Sequence, residues 1–293
     1  GNFYYLCSIK HISMKHIRII SPSGAIERSY IEQARERLEG WGFQVSIGKH
    51  AFGACGRFAG TPEERLADLN EAFADASVDV ILCSRGGYGL QQIVDKIVLP
   101  TRPKSEWPLV VGFSDITALH AVMSLHGVPS LHASMCKALA TLPEDAPQVL
   151  LMREALEKGK EFQHFGTSHF DGKKIIGGNL SVLYGLQGTP YSLNAVIDKL
   201  EEAPVLLIED ICERHYHIDR MLNNLRMSGV LGRLSGVIVG QFTDCDDDAL
   251  MGCTVQDSIN QVFAGYDYPI VFDAPYGHVD ENEPILFCGN QAE

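Results

Sequence analysis

The sequence has no uninterrupted apolar run of about 18 residues, so no membrane-spanning helix is expected. It has no dense Lys/Arg run, and its charges sum to 24 minus 37, or -13, with His neutral. That balance argues against nucleic-acid and anionic-membrane partners, which need a clustered positive surface. The eight cysteines, Cys7, Cys55, Cys83, Cys136, Cys212, Cys245, Cys253 and Cys288, form no C-x-x-C pair. A chain of this length needs no disulfide framework, so reduced thiols and a cytoplasmic location are expected. Internal repeats and low-complexity segments are missing too. With 45% hydrophobic and 21% charged residues, collagen-like, coiled-coil and disordered classes are excluded.

What is present suits an enzyme-sized body. At about 150 residues per domain, 293 residues predict two domains. The opening run Gly1 to Cys7 is apolar but has neither a basic start nor a small-residue cleavage site, so it is a poor signal peptide. Residues 1–13 are expected to lie outside the core, because Met14 stands just before the first strand-like run. Strands are predicted at Ile17–Ile20, Val78–Cys83, Leu109–Phe113, Val205–Ile208 and Gly236–Phe242. Helices alternate with them: one carries Ile31, Ala34 and Leu38, and another opens on the capping box Thr61-Pro62-Glu63-Glu64. Further helices are predicted at about Ile116–Leu125, Met221–Met227 and Val255–Phe263, and short strands and turns from Pro269 onward. This alternation implies an α/β fold, a parallel sheet with helices on both faces. The polar stretch 151–169 reads as a linker between domains at 14–150 and 170–293.

Several motifs could carry chemistry. In Gly112-Phe113-Ser114-Asp115-Ile116-Thr117 a serine follows a strand and precedes a helix. Such a turn lifts the hydroxyl above the sheet edge and sets the next N–H where it can stabilise an oxyanion. The usual G-x-S-x-G elbow is incomplete, since Ile116 stands where its last glycine would be, and a helix N-cap reading of Ser114 or Asp115 stands beside it. Arg85-Gly86-Gly87-Tyr88-Gly89 follows a strand and is expected to open a helix; it could cradle an oxyanion or form a plain tight turn. Arg85 could pair with a substrate carboxylate or with a structural partner. Glu209 and Asp210 end an apolar strand, where a carboxylate can orient a histidine. Among eleven histidines, His278 lies in a loop bracketed by Pro275 and Gly277. His215 and His217 have an H-x-H spacing with no third ligand visibly spaced, so no metal site and no cofactor are expected.

Taken in order, these segments resemble the LD-carboxypeptidase family of serine peptidases. The matching pieces are Ser21-Pro22-Ser23-Gly24, Arg57-Phe58-Ala59-Gly60-Thr61, the Arg85–Gly89 loop, Gly112–Thr117, Gly177-Gly178-Asn179-Leu180, Leu207-Ile208-Glu209-Asp210, Ile218–Leu222 and Tyr276-Gly277-His278. They run from Ile17 to about Gly289. The resemblance implies a Ser114–Glu209–His278 triad. It also implies an N-terminal flavodoxin-like parallel-sheet domain bearing the serine, and a C-terminal mixed α/β domain bearing the other two. The implied reaction is metal-free release of the terminal D-alanine from murein tetrapeptides in cytoplasmic cell-wall recycling, by a homodimer. The backbone N–H groups of Gly87 and Asp115 are the candidate oxyanion hole, and Arg85 and Asn179 the candidate substrate contacts. A sister group, the microcin C immunity peptidases, acts on aminoacyl-nucleotide analogues. A non-catalytic peptide- or nucleotide-binding protein and an unrelated esterase are the other readings.

Overall fold

The computed structural model describes residues 14–163 and 170–289. Residues 1–13, expected outside the core, fall outside the described residues, as do 164–169 of the expected linker. The N-terminal half runs β1 (His16–Ile20), α1 (Arg28–Gly40), β2 (Gln44–Ile47), α2 (Pro62–Ala74), β3 (Val80–Cys83), β4 (Leu109–Gly112), α3 (Thr117–Leu125), β5 (Ser130–His132), α4 (Cys136–Thr141) and α5 (Pro147–Lys158). Strands 2-1-3-4-5 pair in parallel in that spatial order, the flavodoxin-like arrangement.

Alternating side chains divide this sheet between two cores. Ile17, Ile19, Val80, Leu82, Leu109 and Val111 pack against α1, α4 and α5. Ile20, Ile81, Cys83 and Val110 face α2 and α3. Helix α1 buries Ile31, Ala34 and Leu38, the spacing read from the sequence. The capping box at Thr61 forms as expected: its hydroxyl accepts from the Glu64 N–H, and the Glu64 carboxylate accepts from the Thr61 N–H.

The second half runs β6 (Ile175–Asn179), α6 (Leu180–Gly185), α7 (Leu193–Ile197), β7 (Val205–Ile211), α8 (His215–Met227), β8 (Gly236–Thr243), α9 (Val255–Phe263), β9 (Ile270–Val271) and β10 (Ile285–Phe287). Strands β6 to β9 form a separate parallel sheet. Its Ile176, Leu206 and Ile208 share one core with α3, which welds the two halves together.

Four details differ from the sequence expectations. Helix α5 occupies 151–158 of the expected linker and buries Met152, Ala155 and Leu156 against the first sheet. Its alternating charges, Arg153, Glu154, Glu157 and Lys158, lie on the solvent side as i,i+4 pairs and mask that apolar face. Strand β10 leaves the second half and pairs antiparallel with β5 at the edge of the first sheet. The Arg85–Gly89 loop leads into 3₁₀ turns at Leu90–Gln92 and Val94–Lys96 instead of an α-helix. Helix α8 starts at His215, six residues before the predicted start.

Candidate active site

Strands β3, β4 and β5 end at one rim of the first sheet, and the nucleophile candidate stands there. Ser114 follows β4 and takes a left-handed backbone, φ 65°, before a 3₁₀ turn at Ser114–Ile116 leads into α3. A non-glycine residue in that region is strained by about 1–3 kcal/mol and persists only where its surroundings impose it. The turn is sharp although the last glycine of the usual elbow is missing. Close approach is provided instead by Gly86, where a Cβ would lie 2.8 Å from Ser114 Cβ and 3.2 Å from the Asp115 nitrogen.

The other two members of the motif set arrive from the second half. Glu209 lies near the end of β7, fully buried. His278 lies in the loop after β9, where Gly277, at φ +126°, rests on Glu209; a Cβ there would stand 3.1 Å from Glu209 Cβ. His278 Nδ1 is 2.9 Å from Glu209 Oε2, and His278 Nε2 is 3.1 Å from Ser114 Oγ. A buried carboxylate beside Nδ1 fixes the proton there, so Nε2 accepts from the serine hydroxyl. The Phe113 ring, 4.8 Å from the imidazole between centroids, backs it on one side.

These groups open onto a cavity of about 960 Å³ lined by Ser114, His278, Arg85, Gly86 and Gly87 among others. Arg85 is exposed on its wall and donates from Nη1 to the Ala25 carbonyl. Lys137, on α4, is a second cation on the wall, with no side-chain partner among the described residues. Sequence reading missed it, because one lysine on a six-residue helix leaves no pattern.

Other singled-out residues hold the site without facing it. The Asp115 carboxylate points inward, accepting from Ser23 Oγ at 2.5 Å and the Leu90 N–H at 2.9 Å, and burial pushes its pKa up. Asp210 is pushed up to about 7 by burial and by the neighbouring Glu209; it accepts from Asn179 Nδ2, 3.0 Å, and the Ser181 N–H, 2.8 Å. Asn179 departs from its expected role. It is 4% exposed, it caps α6, and its amide is engaged by Ser181, Val182 and Asp210, so nothing of it faces the cavity. The H-x-H pair also separates. His215 Nε2 bonds Ser258 Oγ and its Nδ1 accepts from the Asp248 N–H, while His217 pairs with Glu213.

Beneath the serine lies a histidine pair. His120 Nε2 donates to the Gly112 carbonyl at 2.8 Å, and its Nδ1 accepts from Ser130 Oγ; burial lowers its pKa to about 4. His132 is fully buried, with neither ring nitrogen hydrogen-bonded among the described residues, and its pKa lies well below the ordinary value.

A strained serine at a strand end, hydrogen-bonded to a histidine that is hydrogen-bonded to a buried carboxylate, is the arrangement of nucleophilic hydrolases. Comparison with known proteins gives the particular group. The N-terminal domain of LD-carboxypeptidase matches residues 17–133 and the C-terminal domain matches 173–293. The chain belongs to the LD-carboxypeptidase family, a family of peptidases. It is 34% identical over 241 residues to a Bacillus subtilis protein named "Probable murein peptide carboxypeptidase", covering 78% of this chain and 72% of that one. It is 28% identical to the murein tetrapeptide carboxypeptidase of Pseudomonas aeruginosa, covering 91% and 89%. Among solved structures, muramoyltetrapeptide carboxypeptidase from Oxalobacter formigenes shares the fold, with a TM-score of 0.74 at 23% identity, covering 93% and 92%.

Proposed function

We propose that this protein is a serine LD-carboxypeptidase that releases the terminal D-alanine from murein tetrapeptides. The observation that carries the reading is the Ser114–His278–Glu209 hydrogen-bonded chain at the mouth of the large cavity. His278 Nε2 takes the hydroxyl proton as Ser114 Oγ attacks the scissile carbonyl carbon. Glu209 keeps the imidazole in the required tautomer and stabilises the imidazolium. The tetrahedral intermediate collapses, His278 protonates the D-alanine amine, and water then hydrolyses the acyl-enzyme by the same route. The backbone N–H groups of Gly87 and Asp115 hold the oxyanion; the contact of the Gly86 turn with Ser114 supports this assignment. Arg85, exposed on the cavity wall, receives the free carboxylate of the leaving D-alanine. Cell-wall recycling in the cytoplasm and a homodimeric state complete the proposal and rest on the family resemblance.

The test is mass spectrometry of L-Ala-γ-D-Glu-meso-Dap-D-Ala incubated with the wild type and with Ser114→Ala. The expected result is tripeptide plus D-alanine with the wild type alone. Turnover by folded Ser114→Ala at the wild-type rate would remove the nucleophile assignment. An intact tetrapeptide in both, with hydrolysis of an aminoacyl-nucleotide analogue by the wild type, would replace the substrate by that of the sister group.

A further inference from the structure

Helix α2 places a charged side chain where an amphipathic helix would ordinarily place an apolar one. Arg65 is 1% exposed, on the same buried face as Leu69, Ala72 and Phe73. A guanidinium taken out of water is costly unless its donors are satisfied. Here they are satisfied mostly by main chain. Nη1 donates to the carbonyls of Pro22 and Gly89, both at 2.9 Å, Nε to the carbonyl of Gly60 at 3.3 Å, and Nη2 to Gln92 Oε1 at 2.6 Å. One side chain thus ties three loops that meet beside the nucleophile.

The Asp115 carboxylate holds the adjoining groups of two of those loops. It accepts from the hydroxyl of Ser23, the residue after Pro22, and from the N–H of Leu90, the residue after Gly89. The carbonyl of Gly89 and the N–H of Leu90 are two ends of one peptide plane. Arg65 grips one end and Asp115 the other, and Asp115 is the residue after Ser114. The same loop is fixed at its start, where the Gly24 N–H donates to the Gly86 carbonyl at 2.9 Å.

We propose that Arg65 and the Asp115 side chain form a brace that pins the Gly89–Leu90 peptide and so holds the Gly86–Gly87 turn in register with Ser114. Arg65 is a positioning residue: it touches no substrate, and it acts by keeping the oxyanion donors where charge develops. The inference rests on the proposed hydrolase reading of Ser114. A donor displaced by about 1 Å costs on the order of 10²-fold in rate.

The experiment compares the wild type with Arg65→Met and Arg65→Lys. One readout is steady-state tetrapeptide kinetics, and the other is the rate at which a fluorophosphonate labels Ser114. The labelling needs the triad and the oxyanion donors but no murein substrate. Circular dichroism and thermal melts establish how much of each variant is folded. The brace predicts an approximately 10²-fold fall in kcat and in labelling rate for folded Arg65→Met, with KM changed less than threefold. Arg65→Lys keeps the charge but cannot span the three loops, so it restores little. Where Arg65→Met folds poorly, Ser23→Ala releases Asp115 from one loop and should slow labelling about tenfold. Wild-type kcat and labelling in a folded Arg65→Met would overturn the brace, as would a rise in KM with labelling unchanged. If the wild type labels but leaves the tetrapeptide intact, the substrate reading fails, and the labelling comparison still decides the brace.

Discussion

At the scale of single residues, the site depends on what is left out as much as on what is present. Gly86 carries no side chain, and the space a Cβ would need is occupied by Ser114 Cβ at 2.8 Å. Gly86→Ala therefore forces either the loop or the strained serine turn to shift. The expected outcome is a loss of kcat by roughly 10²- to 10³-fold, comparable to removing one oxyanion donor, with a loss of stability of about 1–3 kcal/mol from the overpacked turn. Steady-state kinetics beside a thermal melt checks this; full activity would show that the loop does not set the geometry of the proposed nucleophile. Ser114, Glu209 and His278 were legible only as part of an ordered set of motifs. Taken alone, the serine reads more readily as a helix cap, the glutamate as a solvated strand end and the histidine as a surface loop residue. Asn179, expected to contact substrate, is turned inward instead, because a sequence shows which groups are polar, not whether folding buries them. Arg65 drew no reading at all, since a lone arginine within a capping-box helix leaves no pattern that marks it as buried.

At the scale of elements, the long parallel strands and amphipathic helices were readable because their apolar spacing repeats. Strand β10 was readable only as one of the short strands after Pro269; its pairing with β5 was not, since three residues complete no period that says which sheet they join. Yet it closes the molecule. Leu286 joins the core of the first sheet with Leu131, while Ile285 and Phe287 enter a core built from β6, β7 and β8. Phe287 also stands edge-on to His120, 5.0 Å between ring centroids. Truncating it opens a cavity that borders both sheets. Phe287→Ala should cost about 3–5 kcal/mol, the range for a fully buried aromatic. Urea unfolding followed by fluorescence and by circular dichroism should show both probes shifting together to a lower midpoint. A loss below about 1 kcal/mol would mean that β10 covers the edge without bearing on the core.

At the scale of the whole molecule, histidines held neutral beneath the candidate active site link the protein's stability to pH. The ordinary histidine pKa is about 6.5. In the fold His132 is pushed well below that by burial, with His120 and His278 nearby adding to the shift. Below pH 6.5 the unfolded chain takes up a proton at His132 and the folded chain does not. Stability therefore falls as pH drops from 6.5 toward the folded pKa, by up to about 1.4 kcal/mol per pH unit for this one group. Other groups act in the opposite sense: Asp210, raised to about 7, is protonated in the fold before it is in the unfolded chain, and so favours the fold on acidification. A difference between variants separates the two. His132→Leu removes a buried ring whose nitrogens have no hydrogen-bond partner among the described residues, so it should be at least as stable as the wild type at pH 7.5. Its advantage should then widen at pH 6 and again at pH 5, because the proton that favours the unfolded wild type has no site to bind. Urea midpoints at the three pH values measure this directly. A constant difference across them would mean that His132 takes up its proton as readily in the fold as outside it, and would leave the acid response to the remaining groups, the buried His120 among them.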